Sequence, residues 1–160
     1  MPKFRILLVA TTVAALAGCA TSSAPVSVAD TIAAKPQLST LTSLVAKSGL
    51  TDTLKGTGPF TVFAPTNEAF AKVPAKTMDD LAKDPAKLKA VLTYHVLPVK
   101  VIAADVKNGN SKTVNGANVA ISRAGDFVTV EEAMVQTADI SATNGMVHIV
   151  DSVLIPPAKR

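Results

Sequence analysis

The chain has 160 residues, 48% of them hydrophobic and 18% charged, with a formal net charge of +4. This length suits one domain, and a lone cysteine excludes an internal disulfide, so stability has to come from an apolar core. Its lysines are scattered and its aromatics are one Tyr and five Phe, which argues against a nucleic-acid-binding surface.

Residues 1–18 read as a signal peptide. Lys3 and Arg5 form a positive start, and Ile6 to Ala17 is an uncharged apolar run of twelve, too short to remain as a membrane-spanning helix. Leu16-Ala17-Gly18-Cys19 resembles the lipobox of bacterial lipoproteins, which implies an acylated Cys19 at the mature N-terminus. Several buried CH₂ groups at about 0.8 kcal/mol each would anchor such a chain at a membrane. Ala20 follows the cysteine, where lipoproteins kept at a Gram-negative inner membrane carry Asp, so the resemblance points to the outer membrane in such a cell. The competing reading is a periplasmic or secreted protein in which Cys19 is incidental. Without residues 1–18, fourteen basic and twelve acidic side chains remain, a net charge of +2. Residues 19–26 then read as the lipidated cysteine and a short tether, 27–157 as the globular domain, and 158–160 as a tail.

Ser27 is placed to cap a short helix over Val28, Ile32 and Ala33, broken near Pro36. Leu38, Leu41, Leu44 and Val45 give the next helix one apolar face. Gly49 stands at its left-handed C-terminal position, Leu50 follows as the hydrophobic contact, and Asp52 to Lys55 adds a brief turn. Phe60-Thr61-Val62-Phe63 alternates as a strand ended by Pro65, and Thr66 caps a short helix carrying Ala69 and Phe70. Thr77 with Asp80 reads as a capping-box variant starting another helix. Asp84-Pro85 starts the next, over Leu88, Val91 and Leu92 into Tyr94-His95.

Beyond Pro98 the pattern becomes strand-like. Val99 to Val106 reads as a strand or strand plus turn, and Asn108-Gly109-Asn110 as a turn. Asn115-Gly116 signals a hairpin between Lys112-Val114 and Asn118-Ile121, and Gly125-Asp126 turns the chain into Phe127-Val130. Met134 to Ile140 and Met146 to Val150 are further strands, with Asn144-Gly145 expected to supply a hairpin's positive φ. Helices first and hairpins later indicate an α+β fold.

Three segments together resemble the fasciclin domain family: Thr61-Val62-Phe63-Ala64-Pro65-Thr66-Asn67-Glu68-Ala69-Phe70, Leu92 to Pro98, and Asn144-Gly145 through His148 and Asp151 to Pro156. The resemblance implies a β-wedge of about seven short strands with several helices packed around it, and a role in adhesion or extracellular protein contact. Thr61, Phe63, Pro65, Thr66, Asn67, Phe70, Asn144, Gly145, His148 and Asp151 are the motif residues, expected mainly to build the fold.

In animal members of that family, a Tyr-His pair flanked by branched aliphatics is associated with integrin binding. The resemblance therefore makes Tyr94 and His95 candidates for partner contact. The alternative is a buried His95, hydrogen-bonded through both ring nitrogens at the helix-to-strand junction. Asp139-Ile140 falls where those proteins carry a second, Asp-Ile-based motif, although Thr137-Ala138 before it departs from the pattern.

Catalysis has few candidates. His95 and His148 are the chain's imidazoles, with no metal-ligand spacing, nucleophile elbow or phosphate loop around them. Asp79-Asp80 and Glu131-Glu132 are adjacent and so point apart. No enzyme activity, cofactor or metal is expected. The expected partner is a protein or glycan at the cell envelope or matrix, with a monomer as the default state. A small-ligand or enzymatic domain using a pocket near His95 is the alternative.

Overall fold

The computed structural model describes residues 26–156. The expected signal peptide, Cys19 and the expected tether up to residue 25, and residues 157–160, which hold the last residue of the expected domain and the expected tail at 158–160, lie outside the described residues.

The first half is helical. α1 (Val28–Ala33) starts where Ser27 Oγ accepts from the Asp30 N–H, and a 3₁₀ turn (Pro36–Leu38) leads into α2 (Ser39–Ser48). α2 ends at Gly49 with φ 70°, and the Leu50 N–H returns to the Val45 carbonyl while its side chain enters the core. α3 is Thr51–Lys55, and β1 (Phe60–Pro65) follows the cis Gly58-Pro59 bond. Thr66 Oγ1 caps α4 (Asn67–Ala71) by accepting from the Ala69 N–H. Asp84 Oδ1 accepts from Ala86 and Lys87 at the start of α6 (Pro85–Tyr94).

α5 (Ala75–Lys83) corrects the expected capping box. It begins two residues before Thr77, because the Pro74 carbonyl accepts from both Thr77 and Met78. Thr77 is already inside the first turn, so its hydroxyl cannot act as the cap.

Seven strands form one sheet in the order β2-β1-β7-β6-β5-β4-β3, with β2 at Val96–Leu97, β3 at Gly109–Lys112 and β4 at Asn118–Ala124. β5 is Phe127–Val130, β6 Ala133–Ala142 and β7 Gly145–Val150. β1 and β7 run parallel, from Phe60 opposite Gly145 to Pro65 opposite Val150, and the other neighbours are antiparallel. The two edges approach each other: just beyond β3, the Val114 N–H donates to the Val96 carbonyl of β2 at 2.8 Å. The sheet is therefore a nearly closed wedge.

Strand alternation divides the core into two layers. Val62 and Ala64 of β1, with Val147 and Ile149 of β7, face Ile32, Leu41, Leu88 and Leu92 of the helices. Phe63 and Val150 point the other way, into the wedge, and meet Tyr94, Leu97, Val119, Ile121, Val128 and Val130. Phe63 therefore shares one core with residues of β4 and β5 that lie far from β1 in the sheet order.

Three other expectations change. Val99 to Val106 forms no strand. Thr61 Oγ1 donates to the Val99 carbonyl at 2.6 Å and accepts from the Val101 N–H at 2.8 Å, so one buried hydroxyl holds this segment in place of a ladder, and Ala103–Asp105 is a 3₁₀ turn. Asn108-Gly109-Asn110 leads directly into β3, while the Asn115-Gly116 hairpin has a five-residue loop because pairing ends at Lys112 opposite Asn118. Asn144-Gly145 supplies no positive φ, which occurs instead at Asp139 (57°) and Glu131 (55°) among the non-glycine residues. Gly145 is needed for a different reason. A Cβ there would lie 1.9 Å from the Phe60 carbonyl oxygen of the adjoining parallel strand.

Candidate functional site

His95 terminates α6 and is 2% exposed. Its Nδ1 lies 2.8 Å from the Val91 carbonyl, and its Nε2 accepts from the Leu154 N–H at 3.0 Å. The second contact requires a neutral ring protonated at Nδ1. Burial pushes its pKa from 6.5 down to about 4, against a smaller opposing effect of the Val91 carbonyl. The ring thus joins the end of α6 to the chain segment after β7.

His148 is the other described imidazole, and it is the opposite tautomer. Its Nε2–H donates to the Val101 carbonyl at 2.9 Å, and its Nδ1 accepts from the Asp139 N–H at 3.2 Å. The ring stacks on Phe63 with centroids 5.6 Å apart. Burial lowers its pKa, opposed by the Val101 carbonyl and the nearby Asp139 charge.

Tyr94 is buried within the wedge, with its hydroxyl 3.0 Å from the Asn118 carbonyl and 3.3 Å from Glu131 Oε1. Burial raises its pKa, and Glu131 adds to the effect. The Tyr94-His95 pair consequently presents no ring to the surface in this conformation, and the expectation of a docking pair meets a physical obstacle. Both side chains are enclosed and engaged by the fold.

Asp139 and Ile140 sit at the irregular centre of β6, where the register with β7 shifts. Asp139 is exposed, and its Oδ1 accepts from the Ala103 N–H at 2.8 Å, capping the 3₁₀ turn. Ile140 is half-buried against the helix-side core. The structure thus brings Asp139 to His148, through the backbone of one and the ring of the other.

The remaining motif residues are anchors. Asn144 accepts from the Val28 N–H at 2.8 Å and donates to the Leu54 and Gly56 carbonyls at 2.7 Å each, tying α1 and α3 to the start of β7. Asn67 accepts from the Thr40 N–H and donates to the Pro36 carbonyl, supplying from α4 the cap that α2 lacks. Asp151 Oδ1 accepts from the Met134 N–H, and Lys72 donates to the Asp151 carbonyl. Glu131 is a structural residue that sequence reasoning missed. In a left-handed conformation it accepts from both Ala120 N–H and the Tyr94 hydroxyl, a pairing with no local sequence signal.

Two concavities lie on the surface nearby. One, of about 510 Å³, mixes polar and apolar lining and lies over Tyr94, Asn118, Glu131, Ser152 and Val153. The other is a groove of about 750 Å³ between α5, α6, the β3–β4 loop and the segment after β7. Leu81, Val91, Ala117, Ile155 and Pro156 line it, with Asp80 and Lys87 at its rim. His95 lies behind this groove, bonded to the backbone of Val91 and Leu154, and its ring is enclosed. A ligand pocket opening onto His95 is therefore not formed. Among the described residues, no group of three or more His, Cys, Asp or Glu is placed to hold a metal ion, and no helix is long and apolar enough to cross a membrane.

The profile of the Fasciclin domain matches residues 36–156, from the 3₁₀ turn before α2 to the end of the described chain. The chain belongs to the fasciclin domain family. Over 146 residues it is 39% identical to protein sll1483 of a Synechocystis species, covering 90% of this chain and 81% of that protein. It is 40% identical over 129 residues to the cell surface glycolipoprotein MPB83 of Mycobacterium bovis, covering 78% of this chain but 58% of that one. A FAS1 domain pair from the insect cell adhesion molecule fasciclin I superposes with a TM-score of 0.64 at 19% identity, over 82% of this chain and 51% of that chain. The wedge and its helices are thus the fasciclin fold, in a family whose named members include a cell surface glycolipoprotein and a cell adhesion molecule.

Proposed function

We propose that this protein is an exported interaction module, held at a bacterial envelope through an acylated Cys19, that presents its fasciclin domain to a protein or glycan. The observation that carries this reading is the enclosure of both described imidazoles, each with both ring nitrogens engaged by main chain, in a domain of this family. Groups that hold the fold in this way cannot also exchange protons with a substrate, which leaves the outer surface for function. Lys3, Arg5, the Ile6–Ala17 run and Leu16 to Cys19 support export and anchoring, as does 40% identity to a protein named as a cell surface glycolipoprotein.

Cys19→Ser tests the anchor. The expected result is a shift from the membrane to the soluble fraction, and an unchanged distribution refutes lipidation. For contact, Asp139 and Ile140 are favoured over Tyr94 and His95, since Asp139 reaches the surface. Asp139→Asn keeps the acceptor for Ala103 and removes the charge. Capture of envelope partners by this variant is expected to fall below that of the parent protein, with equal capture arguing against this site.

A further inference from the structure

Hydrogen bonds fix the point where the chain leaves the domain towards Cys19. Thr143 donates twice to the Val26 carbonyl, from its N–H at 3.0 Å and from its hydroxyl at 3.2 Å. Asn144 Oδ1 accepts from the Val28 N–H at 2.8 Å. Thr143-Asn144 is the turn between β6 and β7. Strand direction gathers the end of β6, the starts of β7 and β1 and the end of β2 at this one end of the sheet.

A notch of about 360 Å³ opens at this end, with Thr57, Pro59, Lys100, Thr143 and Asn144 in its lining and no carboxylate among the lining residues. Lys100 is exposed and makes no ion pair among the described residues. Beside it Val99 is 48% exposed. Thr61 Oγ1 holds both the Val99 carbonyl and the Val101 N–H, so the loop that presents Val99 and Lys100 is fastened to β1. A fixed apolar side chain, an unpaired lysine and a notch without carboxylates match the layering of a lipid surface, with phosphates outside and acyl chains beneath.

We propose that this end of the domain lies against the membrane, where Lys100 and the notch take the phosphate headgroups of anionic lipid and Val99 enters the interface. The inference rests on the anchoring of Cys19 put forward above. Residues 20–25 separate Cys19 from Val26, so the tether spans about 25 Å when fully extended. A domain of about 130 residues is roughly 35 Å across, so this tether is too short to bring the opposite end round to the bilayer. Met134 at the start of β6 and Ile155 beyond the end of β7 stand at that opposite end and face away from the membrane. The tether also holds the lysine at high effective concentration beside the headgroups, so a contact that is weak in free solution suffices.

The test couples the chain from Cys19 onward, which keeps every described residue, through its single thiol to maleimide lipid. The vesicles contain phosphatidylcholine and phosphatidylglycerol, and the linkage forms whether or not cells acylate Cys19. Hydrogen exchange at residues 57–60 and 98–101 is expected to slow about fivefold relative to the same chain free in solution, and to stay unchanged around Met134 and Ile155. Lys100→Glu, an exposed change, is expected to remove the slowing, as are vesicles of phosphatidylcholine alone. Lys83→Glu makes the same change of charge on α5, beside the groove, and is expected to keep it. No slowing at these segments, slowing centred on Met134 or Ile155, or slowing that persists in Lys100→Glu or on phosphatidylcholine alone would each overturn the proposal. Fractionation of Cys19→Ser judges the anchor separately. A shift to the soluble fraction with no slowing keeps the anchor and overturns this face, whereas an unchanged distribution with the slowing intact refutes the anchor and upholds the lipid contact.

Discussion

Acidification tests the account of His95 directly. The neutral ring accepts from the Leu154 N–H, and its pKa is about 4 in the folded protein against 6.5 ordinarily. Between these values the unfolded chain binds a proton that the folded chain refuses, so stability falls as pH falls from 6.5 towards 4. The complete gap corresponds to about 3 kcal/mol, and the loss between pH 7 and pH 5 to about 2 kcal/mol. His148 acts in the same direction, because burial also lowers its pKa and its Nδ1 also accepts an N–H. Urea unfolding followed by circular dichroism at pH 7, 6 and 5 measures the slope. His95→Gln carries no titrating group, so it is expected to be less stable at pH 7 yet to lose about 2 kcal/mol less than the parent on going to pH 5. Equal losses in the two proteins would refute an enclosed, neutral His95.

Three backbone and capping predictions accompany it. Gly145→Ala places a Cβ 1.9 Å from the Phe60 oxygen and is expected to cost about 3 kcal/mol or more, whereas Gly116→Ala, with φ 91° and open space around it, costs about 1 kcal/mol; urea midpoints separate the two. Asn144→Ala removes three hydrogen bonds between α1, α3 and β7, for an expected loss of about 3 kcal/mol, with hydrogen exchange at Val28 rising more than at Val128 in the wedge. Asp84→Ala leaves the Ala86 and Lys87 N–H groups without their cap and is expected to lower stability by about 1 kcal/mol, measured by thermal unfolding.

Local chemistry was the legible part of this protein. Ser27, Thr66 and Asp84 cap the helices they precede, Gly49 terminates α2, and Gly125-Asp126 turns β4 into β5, because each effect acts within a few residues. The Phe60–Phe63 alternation likewise shows which side chains share a face. The sequence could not reveal what each face would meet. Thr61 looks like an ordinary strand residue until its hydroxyl is found holding Val99 and Val101 in place of a ladder. Gly145 resembles a turn glycine, but the close approach of β1 explains it. The candidate site depended on the same distinction. Tyr94-His95 was visible as a motif, and its enclosure was not, since that required Leu154, 59 positions away from His95, to return against the ring.

By itself, then, the sequence determined the α+β class, most element starts and the family, all of which rest on short-range patterns or ordered motifs. Tertiary structure alone decided that the sheet closes into a wedge, that both described imidazoles are enclosed with each ring nitrogen engaged by main chain, and that an apolar groove forms between α5, α6, the β3–β4 loop and the segment after β7. These features depend on side chains separated along the chain and brought together by packing, a relation that no local pattern encodes.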